Sequence, residues 1–296
     1  MLAVEALVRR QSVLGEGPLW DHRAGVLMWV DILASLVHRT DPATGETVTF
    51  QPDRHVGAVA LRGETGYMLA LRNAFAPLDY DTVGSAEEIF TDPQVRMNDG
   101  AVDPVGRFLA GTMAYDTAPG RGHLYSRDVD GTVTELLGGV TISNGIDWSD
   151  DGETMYYVDT PTQGVDVFDY DLSTGSLAGR RRHVTIPEED GSPDGIAIDA
   201  EGCLWVALYG GGRVRRFSPS GDVLQDIEVP ASQVTSCAFG GAGLDRLFIT
   251  SAGDQLDLGA PENLLAGSLF VADPGCRGRK ANVIPDHRAS EGGRAF

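Results

Sequence analysis

Six segments of the chain can be laid over one another, and their spacing leaves few folds open. EGPLWDHRAGVLMWVD, VGAVALRGETGYMLAL, NDGAVDPVGRFLAGT, NGIDWSDDGETMYYVDT, DGIAIDAEGCLWVAL and SCAFGGAGLDRLFITS begin at Glu16, Val56, Asn98, Asn144, Asp194 and Ser236, with steps of 40, 42, 46, 50 and 42 residues. A period of this size means one supersecondary unit per repeat, either stacked or set in a ring. A helical solenoid needs amphipathic helices, and no stretch sustains a helical periodicity. The runs LMWVD (27–31), MYYVD (155–159), LWVAL (204–208) and LFIT (247–250) are instead short and rich in β-branched and aromatic residues, as strands are. Their unbroken apolar character predicts burial on both faces. Turn sequences recur between them: DPATG (41–45), RDVDG (127–131), DLSTG (171–175), SPSG (218–221) and DPG (273–275), with a weaker DYDTVG at 79–84. Each sets up a β-turn with glycine at a positive-φ position.

Four strands fit into each unit, which is the size of a propeller blade. The expectation is an all-β, six-bladed β-propeller with a central channel, one domain over residues 1–296, its blades starting near 16, 56, 98, 144, 194 and 236. The N-terminal VEALVRR is left over when blades are counted from Glu16, so it is predicted to pair with the last blade and cover an open edge. The longest repeat is the last, with an insertion at 251–268 that either loops over one end of the ring or is an ordinary surface excursion.

Composition narrows the partners. Acidic residues outnumber basic ones 43 to 23, a formal charge of −20 with no basic stripe, which argues against nucleic acid. Apolar runs are too short to span a membrane, and the opening residues lack a secretory pattern. The three cysteines form no CxxC pair. A cytoplasmic setting is the expectation. Among chemical motifs, no GxSxG elbow supports a serine nucleophile, and the histidines lack HxH or HExxH spacing.

The first residue of each repeat carries the chemistry. In a closed ring these positions converge on one axis, where they read carboxylate, valine, amide, amide, carboxylate, hydroxyl. Buried carboxylates need a partner. A hard divalent cation satisfies such a set, because calcium and magnesium take carboxylate and amide oxygens. Zinc and manganese also come into question, although a site without His or Cys is unusual for zinc. Taken singly, Asn144 and Asp194 read as turn formers before glycine; it is their register with Glu16 and Asn98 that points to a metal. Two residues before Asn98, on the same face of an extended strand, Arg96 can donate to substrate hydroxyls. The same offset in the second repeat gives Arg54, which reads first as a solvated loop residue and only then as a second donor, and His55, beside the axial Val56, as a residue near the site.

Five segments, LGEGPLW (14–20), RMNDGAVDPVGRFLAGTM (96–113), SNGIDWSDDGETMYYVDT (143–160), PDGIAID (193–199) and TSCAFGG (235–241), resemble the signatures of the regucalcin/gluconolactonase family, in that order and over nearly the whole chain. The resemblance implies a six-bladed propeller with a divalent metal in its channel and hydrolysis of a sugar lactone to the aldonic acid. It implies metal ligation by Glu16, Asn144 and Asp194, and substrate contacts from Arg96, Asn98 and Asp116. On this reading the metal is a Lewis acid and Asp194 the general base. Calcium is the first expectation, with zinc, manganese or magnesium as alternatives. Two alternative functions keep the same site: an esterase or organophosphatase, and a non-catalytic propeller that binds calcium or a small ligand. The chain departs from common family patterns at Tyr115, before Asp116, and at Tyr209-Gly210-Gly211, where many relatives carry a WGG segment; both are expected at the channel mouth.

Overall fold

The computed structural model describes residues 4–9 and 12–286. Among them the chain is built from antiparallel sheets. Five sheets have four strands, and their innermost strands are Gly15–Asp21, Val95–Val102, Ser143–Trp148, Ser192–Ile198 and Val234–Gly240. The remaining sheet is built on Val56–Arg62 and is widened by short strands at its edges. We number the blades one to six in the order of these inner strands along the chain. The only helical elements among the described residues are three short 3-10 turns, and no helix is long and apolar enough to cross a membrane.

Strands buried on both faces produce a divided core. The buried apolar side chains form six clusters, and each lies between two neighbouring blades. The segment LWVAL illustrates why the pattern is continuous. Leu204, Val206 and Leu208 pack toward blade four, whereas Trp205 and Ala207 pack toward blade six, where Trp205 meets Phe239 edge to face. The five strong turn sequences end on glycines with φ between 73° and 94°, as expected; the weaker turn at Gly84 does not use this conformation.

The ring is fastened at both ends of the chain. Strand Val4–Val8 pairs antiparallel with Leu269–Ala272 and completes blade six, the closure expected of the N-terminal segment, of which Arg10 lies outside the described residues. A second fastening was not foreseen. After blade six the chain runs beneath the ring: the Arg277 carbonyl accepts from Ala200, Arg279 bonds Asp147 and the Trp148 carbonyl, and Asn282 bonds the Val102 carbonyl. Strand Val283–Ile284 then pairs parallel with Val56–Arg62. This strap therefore touches blades five, four, three and two in turn.

The 251–268 insertion lies against the seam between blades six and one. Gly253 donates to the Ser12 carbonyl, and Gln233 donates to the Asp254 carbonyl.

Candidate functional site

Each inner strand is interrupted at the aligned position. The pairing register shifts between Glu16 and Leu19, Val56 and Ala58, Met97 and Gly100, Asn144 and Ile146, Pro193 and Ile196, and Val234 and Ser236. A bulge of this kind re-aims a side chain that regular pleating would direct into the neighbouring blade. The glycine that follows lets adjacent inner strands approach closely. A Cβ on Gly145 would lie 2.6 Å from the Asp194 carbonyl oxygen, and one on Gly195 would overlap Ser236. The NG and DG dipeptides are thus conditions of convergence as much as turn signals.

The axial residues do converge. Arg96, Asn98 and Asn144 form a row of hydrogen bonds: Arg96 Nη1 donates to Asn98 Oδ1 at 2.6 Å, and Asn98 Nδ2 donates to Asn144 Oδ1 at 2.6 Å. Asn144 Nδ2 continues the row to Thr160 Oγ1 at 2.8 Å. Glu16 and Asp194, both buried, share the same field with Arg96. Burial pushes the Glu16 carboxyl up to about 8, helped by the charge of Asp99 and opposed by the Gly17 N–H and by Arg96. Burial likewise raises Asp194 well above the carboxylate range, with Glu16 and Asp99 adding to the rise. Asp194 Oδ1 is buried without a hydrogen-bond partner. Arg96 is equally unusual. Burial brings its guanidinium down to about 10 against the charges of Tyr115, Glu16 and Asp194. Its Nε has no partner, and among the described residues no carboxylate lies within ion-pair distance of it.

An all-oxygen set with an orphaned carboxylate oxygen and two mutually repelling acids is a poor end state for a protein interior. A divalent cation resolves both faults, and the donors fit a hard one. Among the described residues no three His, Cys, Asp or Glu side chains form a ligand group; here two acids are joined by an amide, a set that suits calcium, magnesium or manganese better than zinc.

The other expected residues divide. Tyr209 belongs to the site's surroundings: burial raises its hydroxyl to about 12, and Asp194, Asp254 and Glu16 act on it in the same direction. Asp116 lies in the turn that follows strand Phe108–Ala114. It is exposed, accepts the Ala118 N–H, and lies 3.9 Å from Arg121. The side chain that closes on Arg96 from this loop is Tyr115, with its ring centre 5.9 Å from the guanidinium carbon and its hydroxyl 2.8 Å from His55 Nδ1. His55 is therefore near the site, its imidazole pKa lowered by burial and then by Arg96 and Arg72. Arg54 is turned to the edge of blade two, against Asn73, Asp53 and Glu88, so it gives no second donor at the axis.

Two residues escaped the sequence reading. Asp99 faces the axis between the site and a cavity of about 530 Å³ behind it, which Asp147, Arg279 and Lys280 also line. Burial raises its carboxyl to about 6. The signal was the extra acid in RMNDG, where four of the other five repeats place glycine directly after the axial residue. Thr160 left no signal beyond ending the segment MYYVDT.

Comparison with known proteins agrees with this fold. Residues 14–253 match the family described as the SMP-30/gluconolactonase/LRE-like region. Human regucalcin is 40% identical over 282 residues, covering 91% of this chain and 93% of that protein. The crystal structure of regucalcin from Agrobacterium tumefaciens, described as a calcium-binding protein, superposes with a TM-score of 0.89 at 31% identity, covering 96% of this chain and 97% of the other. A luciferin-regenerating enzyme superposes with a TM-score of 0.88 at 33% identity, covering 96% of this chain and 100% of that one. By this match of family model, sequence and fold, the chain belongs to the SMP-30/gluconolactonase/LRE-like family.

Proposed function

We propose that the chain is a divalent-cation-dependent hydrolase of cyclic esters, with sugar lactones as the substrate class. The observation that carries this reading is the unbalanced axis: two buried acids with one orphaned oxygen, beside a buried guanidinium that has no ion-pair partner among the described residues. Such a site keeps donors and acceptors free for a ligand. Membership of a family that includes gluconolactonase supports the reaction class.

Glu16, Asn144 and Asp194 are the residues that would hold the cation. When bound, it supplies Lewis acidity toward the lactone carbonyl and the oxyanion that develops there. Arg96 and Asn98 orient the substrate through hydrogen bonds to its hydroxyls, which fixes the carbonyl relative to Asp194. Asp194 Oδ1 takes the proton of the attacking water as the new C–O bond forms. The acyl–oxygen bond of the ring then breaks, and the proton is returned to the departing ring oxygen, giving the open hydroxy acid. Asp116 accepts one backbone N–H and keeps acceptor capacity for a substrate hydroxyl at the turn beside Tyr115.

A second reading is a propeller that binds calcium without catalysis. It is favoured by the description of the similar regucalcin from Agrobacterium tumefaciens as a calcium-binding protein. Acid release from a panel of aldonolactones, with and without chelator, separates the two. Hydrolysis above the spontaneous rate that stops with chelator and returns with added cation supports the hydrolase. Tight calcium binding with no acceleration across the panel supports the second reading.

A further inference from the structure

We infer that Thr160 is a positioning residue that decides which end of the Asn144 amide faces the cation. The inference rests on the proposed ligand set and deepens it. An asparagine amide has two ends of nearly equal size and opposite chemistry: the oxygen can ligate a cation and the NH₂ cannot. Something must break that symmetry.

Thr160 does so by polarity alone. Its hydroxyl carries one proton, and its Oγ1 lies 2.9 Å from the Pro193 carbonyl oxygen, a group that only accepts. With the proton spent there, Thr160 presents a lone pair to Asn144 Nδ2, 2.8 Å away. Asn144 must then direct N–H outward and turn Oδ1 toward the axis.

The neighbouring amide is pinned by the same rule. Asn98 Nδ2 also donates to the Ser143 carbonyl at 2.9 Å, and its Oδ1 accepts from Arg96, which can only donate. The row thus ends in groups of fixed polarity on both sides, and only one arrangement of its protons satisfies every member. Thr160 itself is held in place. It opens the short turn Thr160–Thr162, and the preceding Asp159 accepts the backbone N–H groups of Thr141 and Ile142.

The test is calorimetric titration of the purified, metal-stripped chain with calcium and with manganese. Thr160→Val keeps the shape and removes the lone pair, and is expected to weaken binding about 10- to 100-fold, the usual cost of losing a partner behind a ligand. Thr160→Ser keeps the hydroxyl and should stay within about threefold of the parent. On an Asn144→Ala background, Thr160→Val should change affinity less than about twofold, because the effect travels through the amide. Should Thr160→Val not fold, Thr160→Ala removes the same hydroxyl with less bulk. Parent-like affinity in Thr160→Val, or equal losses with and without Asn144, overturns the role of Thr160 while leaving the proposed function intact. A parent chain that binds neither cation overturns both.

Discussion

Two groups of acidic residues in this molecule have opposite surroundings. Behind the axis, in the hairpins that join inner to second strands, Asp21, Asp103 and Asp199 are saturated with donors. Asp199 accepts from the Glu201 and Cys203 N–H groups, the Trp205 indole and Arg216. Asp103 accepts from two backbone N–H groups, Arg107 and Tyr170. At the axis, Glu16, Asp99 and Asp194 face one another with few donors. Burial pushes Glu16, Asp99 and Asp194 upward; at Asp21 and Asp199 the same push is outweighed, at Asp21 by Arg23 and Tyr67 and at Asp199 by the Trp205, Cys203 and Arg216 donors. Burial alone therefore does not mark a functional acid. Burial with the hydrogen-bond capacity left unused does.

The contrast can be attacked from either side. The largest effect is expected at the axis. Asp194→Asn should lower lactone turnover by about 10⁴-fold or more, since it removes the proton acceptor and one of the two charges that would hold the cation. In chelator the same variant should melt at the same temperature as the parent or higher, because a repelling buried charge is gone. A fall in metal-free Tm would make Asp194 a scaffold acid and erase the distinction.

Asp199→Ala should do the reverse, destabilising the fold by about 3–5 kcal/mol through the uncompensated Arg216 and Trp205. Cation affinity measured well below its melting temperature should be unchanged. Next in size is a pH effect at Asp21, whose carboxyl is held down at about 2. Its contribution to stability, about 2 kcal/mol, is present above the ordinary carboxylate range and is lost as pH falls through about 2. Asp21→Asn should flatten that part of the acid unfolding curve, and an unaltered curve would show that Arg23 and Tyr67 hold this acid less firmly than their geometry implies. The smallest effect is expected at Tyr115, which belongs to neither group. Removing its bond to His55 in Tyr115→Phe should raise KM about threefold with kcat retained. Steady-state kinetics showing a fall in kcat alone would place Tyr115 nearer the chemistry than the rim.

The sequence revealed more of the ring than of its details. Blade count, the N-terminal closure and the identity of the axial residues follow from a repeat period and from one aligned column, both properties of order along a chain. The bulges that turn Glu16 or Asp194 inward were invisible, because a bulge is a mismatch between two strands and has no composition of its own. The placement of Tyr115 over Arg96 was hidden for a related reason: Tyr115 and Asp116 lie in the turn after strand Phe108–Ala114, and a turn's geometry does not follow from the alternation of the strand before it. Thr160 was unreadable for a different reason: its significance depends on the Pro193 carbonyl in another blade.

The strap beneath the ring has a consequence for how the molecule comes apart. Release of strand Val4–Val8 bares one flank of blade six, yet blades two to five remain tied from below by the run from Arg277 to Ile284. Fraying at the N-terminal seam is thereby uncoupled from dilation of the pore. Amide exchange should register the difference, with early labelling in Val4–Val8 and Leu269–Ala272 while Asn98, Asn144 and their neighbours stay protected until the whole ring gives way.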